Sequence, residues 1–157
     1  MAIEIGQMAP DFTLSDTNRQ PLTLSEQRGK NVLLLFFPLA FTSTCTEELC
    51  SVRDNMRIYE SFQATPFGIS VDSSAALRKF KEEQQLNFSL LSDFNKEVST
   101  AYDTIYEVWG GGMRGVSKRS AFIIDKQGLL QYAEVLENAS EVPNFSAIQE
   151  KLAALTA

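Results

Sequence analysis

The chain has 157 residues, 44% hydrophobic and 22% charged, a globular balance that excludes a disordered chain. Fourteen basic against twenty acidic residues leave a net charge of −6, which argues against nucleic acid or an anionic membrane as the main partner. There is no histidine and there are only two cysteines. Cys–His pairs, Ser–His–Asp triads and the usual zinc ligand sets are therefore ruled out.

No apolar run is long enough to span a bilayer. The start, Met1-Ala2-Ile3-Glu4-Ile5, has neither the basic end nor the apolar centre of a signal peptide. The expected location is the cytoplasm, where paired cysteines are more often catalytic or metal-binding than structural. The length suits one domain over residues 1–157. No linker, repeat or low-complexity tract divides it.

Met8 to Leu14 reads as an extended segment, with a polar turn at Ser15–Gln20. Pro21-Leu22-Thr23-Leu24 alternates and is predicted to pair back as a hairpin. Ser25 to Gly29 is a short turn. Val32 to Phe37 is wholly apolar and predicts a buried strand, closed by Pro38, which cannot donate to a ladder. A helix is expected from near Thr44 to about Phe62, with Leu49, Val52, Met56 and Tyr59 on one face and Thr65-Pro66 as its breaker. Phe67 to Val71 is the next strand, and Asp72-Ser73-Ser74 caps a second helix through Leu77 and Phe80 to Leu86. Ser89–Ser92 is a short strand and Asn95–Tyr102 a third helix. Gly110-Gly111-Gly112 lacks the spacing of a phosphate cradle and reads as a flexible loop. Arg119–Asp125 and Leu129–Leu136 are strands joined by a turn at Gln127-Gly128. A last helix is expected from Asn144 to Leu155. The alternating middle predicts an α/β fold with a parallel section and helices on both faces. The closing hairpin makes the sheet mixed.

Both cysteines lie just past the first buried strand, in Pro38-Leu39-Ala40-Phe41-Thr42-Ser43-Thr44-Cys45-Thr46-Glu47-Glu48-Leu49-Cys50. Thr42, Ser43 and Thr44 are N-cap types, and the Glu pair is expected in the first turn. Cys45 is thereby placed at a helix start, where free N–H groups and the helix dipole favour a thiolate. A cysteine so placed is a candidate nucleophile.

Pro38-x-x-x-Thr42-x-x-Cys45 resembles the active-site signature of the peroxiredoxins (AhpC/TSA family). Met8-Ala9-Pro10-Asp11-Phe12 is similar to that family's opening, and Arg119 ahead of Phe122-Ile123-Ile124-Asp125 to its active-site arginine. Glu48 matches a glutamate that the family uses beside arginine. The resemblance implies a decorated thioredoxin-like fold: a central mixed sheet flanked by helices, with an N-terminal β-hairpin. It also implies a peroxidase acting on hydrogen peroxide and organic hydroperoxides, recycled by thioredoxin or a similar thiol reductant, with no metal or organic cofactor.

Each residue has a chemical reason to be there. Cleaving an O–O bond needs an ionised thiol near neutral pH, below the ordinary value of about 8.5. Arg119 is a permanent cation that can stabilise it. Thr42 can hold the peroxide oxygens, and backbone N–H groups around Thr44 and Cys45 can meet the developing charge. Pro38 shields the sulfur from water. Glu48 is expected to orient Arg119 and Arg53 by bidentate pairing.

Attack leaves Cys45 as a sulfenic acid, which a second thiol condenses with. The C-x-x-x-x-C spacing resembles the bacterioferritin-comigratory (Q-type) branch, which implies Cys50 as the resolving residue. Five helical steps separate the two Cα atoms by roughly 8–9 Å on different faces, beyond the ~7 Å reach of a disulfide. The helix must then unwind to form the bond. The Pro-Leu-Ala-Phe-Thr run is instead similar to the one-cysteine AhpE-like branch. A monomer and a homodimer both stay open.

Plainer readings stand beside these. A free cysteine is most often a small buried hydrophobe, and Cys50, next to Leu49 and Val52, can merely pack. Arg53-Asp54 can be a solvated pair of little worth. Phe37, Phe41 and Trp109 can line an apolar entrance or simply fill core. In function, a turning-over peroxidase stands against a redox-sensing binding protein that uses the same cysteine as a switch. A disulfide reductase ranks last, because C-x-x-C is missing.

Overall fold

The computed structural model describes residues 3–156; residues 1, 2 and 157 of the expected domain lie outside it. A seven-stranded sheet runs in the order β2-β1-β5-β4-β3-β6-β7. The hairpin pairs β1 (Thr13–Asp16) with β2 (Pro21–Thr23) antiparallel, Thr13 opposite Thr23. The expected turn thus begins two residues late, because Ser15 and Asp16 also pair with the sheet. The centre is parallel: β3 (Asn31–Phe36), β4 (Ala64–Ser70) and β5 (Ser89–Ser92). Beyond β3, β6 (Ser120–Ile124) and β7 (Leu130–Val135) are antiparallel. The sheet is mixed, as the terminal hairpin requires.

All six residues of β3 are buried, the mark of a strand covered on both faces. Leu33, Leu35 and Phe37 meet one core, with Leu49 and Val52 of α1 (Ser43–Asp54), Leu77 and Phe80 of α3 (Ser74–Gln84), and Ile148 and Leu152 of α5 (Phe145–Thr156). Val32, Leu34 and Phe36 meet the other, with Phe12, Leu24 and Val98 of α4 (Glu97–Ala101).

Three expectations are corrected. The long helix is broken at Asn55, and α2 (Met56–Ser61) is separate. The Asn55 side chain donates to the Ser51 carbonyl at 2.8 Å, and such local bonds compete with the helical ladder. Thr65-Pro66 is not a connector but part of β4, opposite Val32 and Leu33. Pairing of β4 with β5 starts only at Phe67, so Pro66 is tolerated where just one neighbour is laddered. Within the expected Asp72-Ser73-Ser74 cap, Ser73 does the capping, accepting from the Ala76 N–H at 3.1 Å. Gly110–Gly112 forms a 3-10 turn closed by mutual backbone bonds between Trp109 and Met113.

Candidate active site

The loop from β3 to α1 is set by three devices, two local and one reaching across the fold. Pro38 is buried directly after the sheet. The Ala40 N–H donates to Asp72 Oδ2 at 2.8 Å. Phe41 has φ 68, a left-handed conformation costing a non-glycine residue about 1 kcal/mol or more. That turn swings the chain into α1 and leaves Phe41 exposed, with its ring 5.2 Å from that of Phe80.

Thr42 is the N-cap residue of α1, but its hydroxyl does not cap. Instead Thr42 Oγ1 donates to the Leu39 carbonyl at 2.8 Å. Its lone pairs stay available to accept from a ligand. The first-turn N–H groups of a helix have no intrahelical acceptors, and Thr42 does not occupy them. Cys45 is the third residue of α1 and is wholly buried. Glu47 and Glu48 fall beyond the first turn, which holds no acidic residue; the helix starts too early for them to reach it.

Arg119 immediately precedes β6 and is 1% exposed. Its guanidinium makes three directed bonds. Nη2 donates to Cys45 Sγ at 3.1 Å, Nη1 to Glu48 Oε1 at 2.6 Å, and Nε to the Ala139 carbonyl at 2.9 Å. The Cys45 sulfur thus meets a fixed cation out of water. Burial works against the arginine's own charge, but Glu48 and Cys45 more than offset it and hold its pKa above the ordinary value. Glu48 is also wholly buried, and burial pushes its carboxyl up to about 7 despite Arg119. Among the described residues, Glu48 Oε2 is the one buried side-chain oxygen or nitrogen without a hydrogen-bond partner.

Arg53 does not join this group. Its Nη1 donates to the Gln84 carbonyl at 2.6 Å and its Nε to Asp54 Oδ1 at 2.9 Å. Five residues from Glu48 along one helix, it faces another way. Cys50 is partly buried at the same junction with α3, and its thiol donates to Gln84 Oε1 at 3.4 Å. Both cysteines are free thiols on the unbroken helix α1.

A cavity of about 350 Å³ opens onto this cluster, lined by Thr42, Ser43, Thr44, Trp109, Arg119 and Ser140 among others. Of the three aromatics expected there, only Trp109 lines it. Phe37 is sealed in the core and Phe41 packs on Phe80.

Three supporting groups carried no sequence signal. The Ala139 carbonyl anchors Arg119 through backbone alone. The Tyr106 hydroxyl accepts from the Arg119 N–H at 3.4 Å and donates to the Leu136 carbonyl at 2.7 Å. Gln84 meets Cys50 from 34 residues away and Arg53 from 31. Among the described residues no helix is long and apolar enough to cross a membrane, and no group of three or more His, Cys, Asp or Glu is disposed to hold a metal.

Comparison with known proteins gives the chain a family. The profile of the AhpC/TSA family matches residues 5–133. Alkyl hydroperoxide reductase E of Mycobacterium tuberculosis is 39% identical over 99% of both chains. Peroxiredoxin Bcp of Bacillus subtilis is 38% identical over 83% of each. The crystal structure of peroxidoxin BcpB from Mycobacterium tuberculosis superposes with a TM-score of 0.86 at 27% identity, covering 98% of both chains. The chain therefore belongs to the AhpC/TSA family as a peroxiredoxin, a peroxidase.

Proposed function

We propose that this peroxidase, a single domain, reduces hydrogen peroxide and organic hydroperoxides by direct attack of Cys45. The bridging of Cys45 and Glu48 by Arg119 carries the reading. The peroxide enters the cavity beside Thr42 and Trp109. Its O–H donates to Thr42 Oγ1, whose own proton is committed to Leu39. First-turn N–H groups and Arg119 stabilise the charge that grows on the leaving oxygen. The thiolate bonds to the nearer oxygen, the O–O bond breaks, the far oxygen leaves as alkoxide or hydroxide, and Cys45 becomes a sulfenic acid. Buried Pro38 keeps bulk water from the sulfur.

Cys50 then condenses with the sulfenic acid, releasing water, and a thioredoxin-like thiol reduces the disulfide in the cytoplasm. The test is mass spectrometry after one equivalent of hydrogen peroxide, with free thiols blocked. A Cys45–Cys50 bond within one chain is expected. A sulfenic or sulfinic Cys45 beside a free Cys50 overturns the resolving role, and an unmodified Cys45 overturns the peroxidase reading.

One observation favours a second reading. The Cys50 thiol is engaged by Gln84 and packs against the main core. A one-cysteine cycle that uses an outside thiol would leave it there. In the two-cysteine cycle, Cys50→Ser still consumes one peroxide equivalent but stalls with a dithiol reductase; unchanged steady-state turnover would assign the one-cysteine cycle.

A further inference from the structure

The buried centre contains two acids and one cation. Arg119 offers one positive charge, shared between Cys45 Sγ and Glu48 Oε1. All three side chains are within 1% of complete burial. A thiolate and a carboxylate together would leave a net negative charge out of water, and Glu48 Oε2 would carry its share of it with no donor at all. An unpaired buried carboxylate oxygen is costly, whereas a protonated one is far less so. Two acids coupled through one cation are expected to hold one proton between them. The other facing acid, Glu134 on β7, pushes the Glu48 carboxyl further toward the protonated form.

On the reading that Cys45 attacks peroxide, we infer that Glu48 stores the proton of the reduced pair and gives it up when Cys45 is oxidised. The step balances without solvent. Cys45 thiolate, hydroperoxide and the Glu48 acid become Cys45 sulfenic acid, alcohol and the Glu48 carboxylate. The S–O bond forms and the O–O bond breaks. Sulfur loses two electrons and the peroxide gains them. The proton lost by Glu48 offsets the one that the leaving alkoxide needs. Afterwards the neutral sulfenic acid no longer competes for Arg119, and the new carboxylate takes the whole cation. Glu48 thus acts through Arg119 as a positioning residue that also holds a proton.

The test counts protons. The Cys50→Ser variant, which stops at the sulfenic acid, is mixed with one equivalent of hydrogen peroxide well below the Glu48 value of about 7, in weak buffer with a pH indicator. Thiolate is followed by its ultraviolet absorbance. With Glu48 present, thiolate is expected to be consumed with no net proton uptake. Adding Glu48→Gln should give uptake of one proton per thiolate consumed. Infrared difference spectra of the Cys50→Ser protein should show loss of a protonated-carboxyl carbonyl band, absent with Glu48→Gln. One proton taken up per thiolate with Glu48 in place overturns the inference while leaving the peroxidase reading intact. So does no uptake in either protein, which would mean a sulfenate product. Failure of Cys45 to react overturns both.

Discussion

Arg119 Nη1 lies 2.6 Å from Glu48 Oε1, with the two side chains 1% and 0% exposed. The bond joins the residue just before β6 to one on α1, across 71 residues. It fixes the guanidinium so that Nη2 meets Cys45 Sγ. A planar fork can do this, and a lysine ammonium, with one point charge, cannot hold both partners in the same geometry. Arg119→Lys is therefore expected to lower the second-order rate constant for hydrogen peroxide by about 100-fold, the typical loss for one oriented donor. Stopped-flow fluorescence is the natural measurement, because the sole tryptophan, Trp109, lines the cavity. A loss under threefold would show that charge alone, not the fork, activates Cys45.

The raised carboxyl of Glu48 predicts a pH dependence of stability. Its value moves from 4.5 to about 7 on folding. Between those values the folded chain binds more protons than the unfolded one, so this group makes stability fall as pH rises. The contribution is absent below about 4.5 and complete above about 7, on the order of 3 kcal/mol at most. Urea unfolding across that window should show the decline in the native protein, and Glu48→Gln should flatten it. A variant with the native slope would assign the decline to other groups.

Thr42→Val removes a hydroxyl that donates to Leu39 and keeps the shape. Thr42→Ser keeps the hydroxyl. The valine variant is expected to lose about 10- to 100-fold in the rate of Cys45 oxidation, and the serine variant less than about threefold. Equal losses in the two would assign Thr42 to packing alone.

Much of this centre was legible in the linear chain. Pro38, Thr42 and Cys45 are fixed by one local turn, so their spacing carries their geometry. Arg119 was legible through the family resemblance, standing ahead of the apolar run Phe122-Ile123-Ile124. What escaped notice depends on tertiary contacts. Asn55 breaks the helix through a side-chain bond to Ser51, although the apolar spacing continues unbroken into Tyr59. Pro66 lies inside a strand because the neighbouring strand starts one residue later. Arg53 seemed a partner for Glu48 by charge, yet the helical turn points it to Gln84. The Ala139 carbonyl has no side-chain signature at all. Sequence reading reaches devices built within one turn, and loses those in which backbone meets side chain across the fold.

Gly68 illustrates such a tertiary demand. A Cβ there would lie 2.6 Å from Leu90 Cδ2, 3.3 Å from Phe37 Cε1 and 3.6 Å from Leu49 Cδ2. All three neighbours are wholly buried, so they have little room to yield. Gly68→Ala is expected to destabilise the fold by about 1–3 kcal/mol. Because Leu49 belongs to α1, the displaced helix should also slow Cys45 oxidation. Urea denaturation that returns native stability would show that β4 and α1 separate freely.

The last prediction concerns α1 itself. Cys45 and Cys50 sit on one continuous helix, five residues and about 140° of net rotation apart. A disulfide needs Cα atoms within about 7 Å and Cβ vectors that converge. The backbone bonds between them must therefore open, together with the Cys50–Gln84 contact. Hydrogen exchange of residues 43–54 is expected to be slow in the reduced protein and markedly faster once the disulfide has formed, while α5 keeps its protection. Mild urea should accelerate disulfide formation from the sulfenic acid, because unwinding precedes bonding. If the oxidised protein contains the bond yet protects α1 as the reduced one does, the helix deforms without unwinding, and the geometric argument fails at that step.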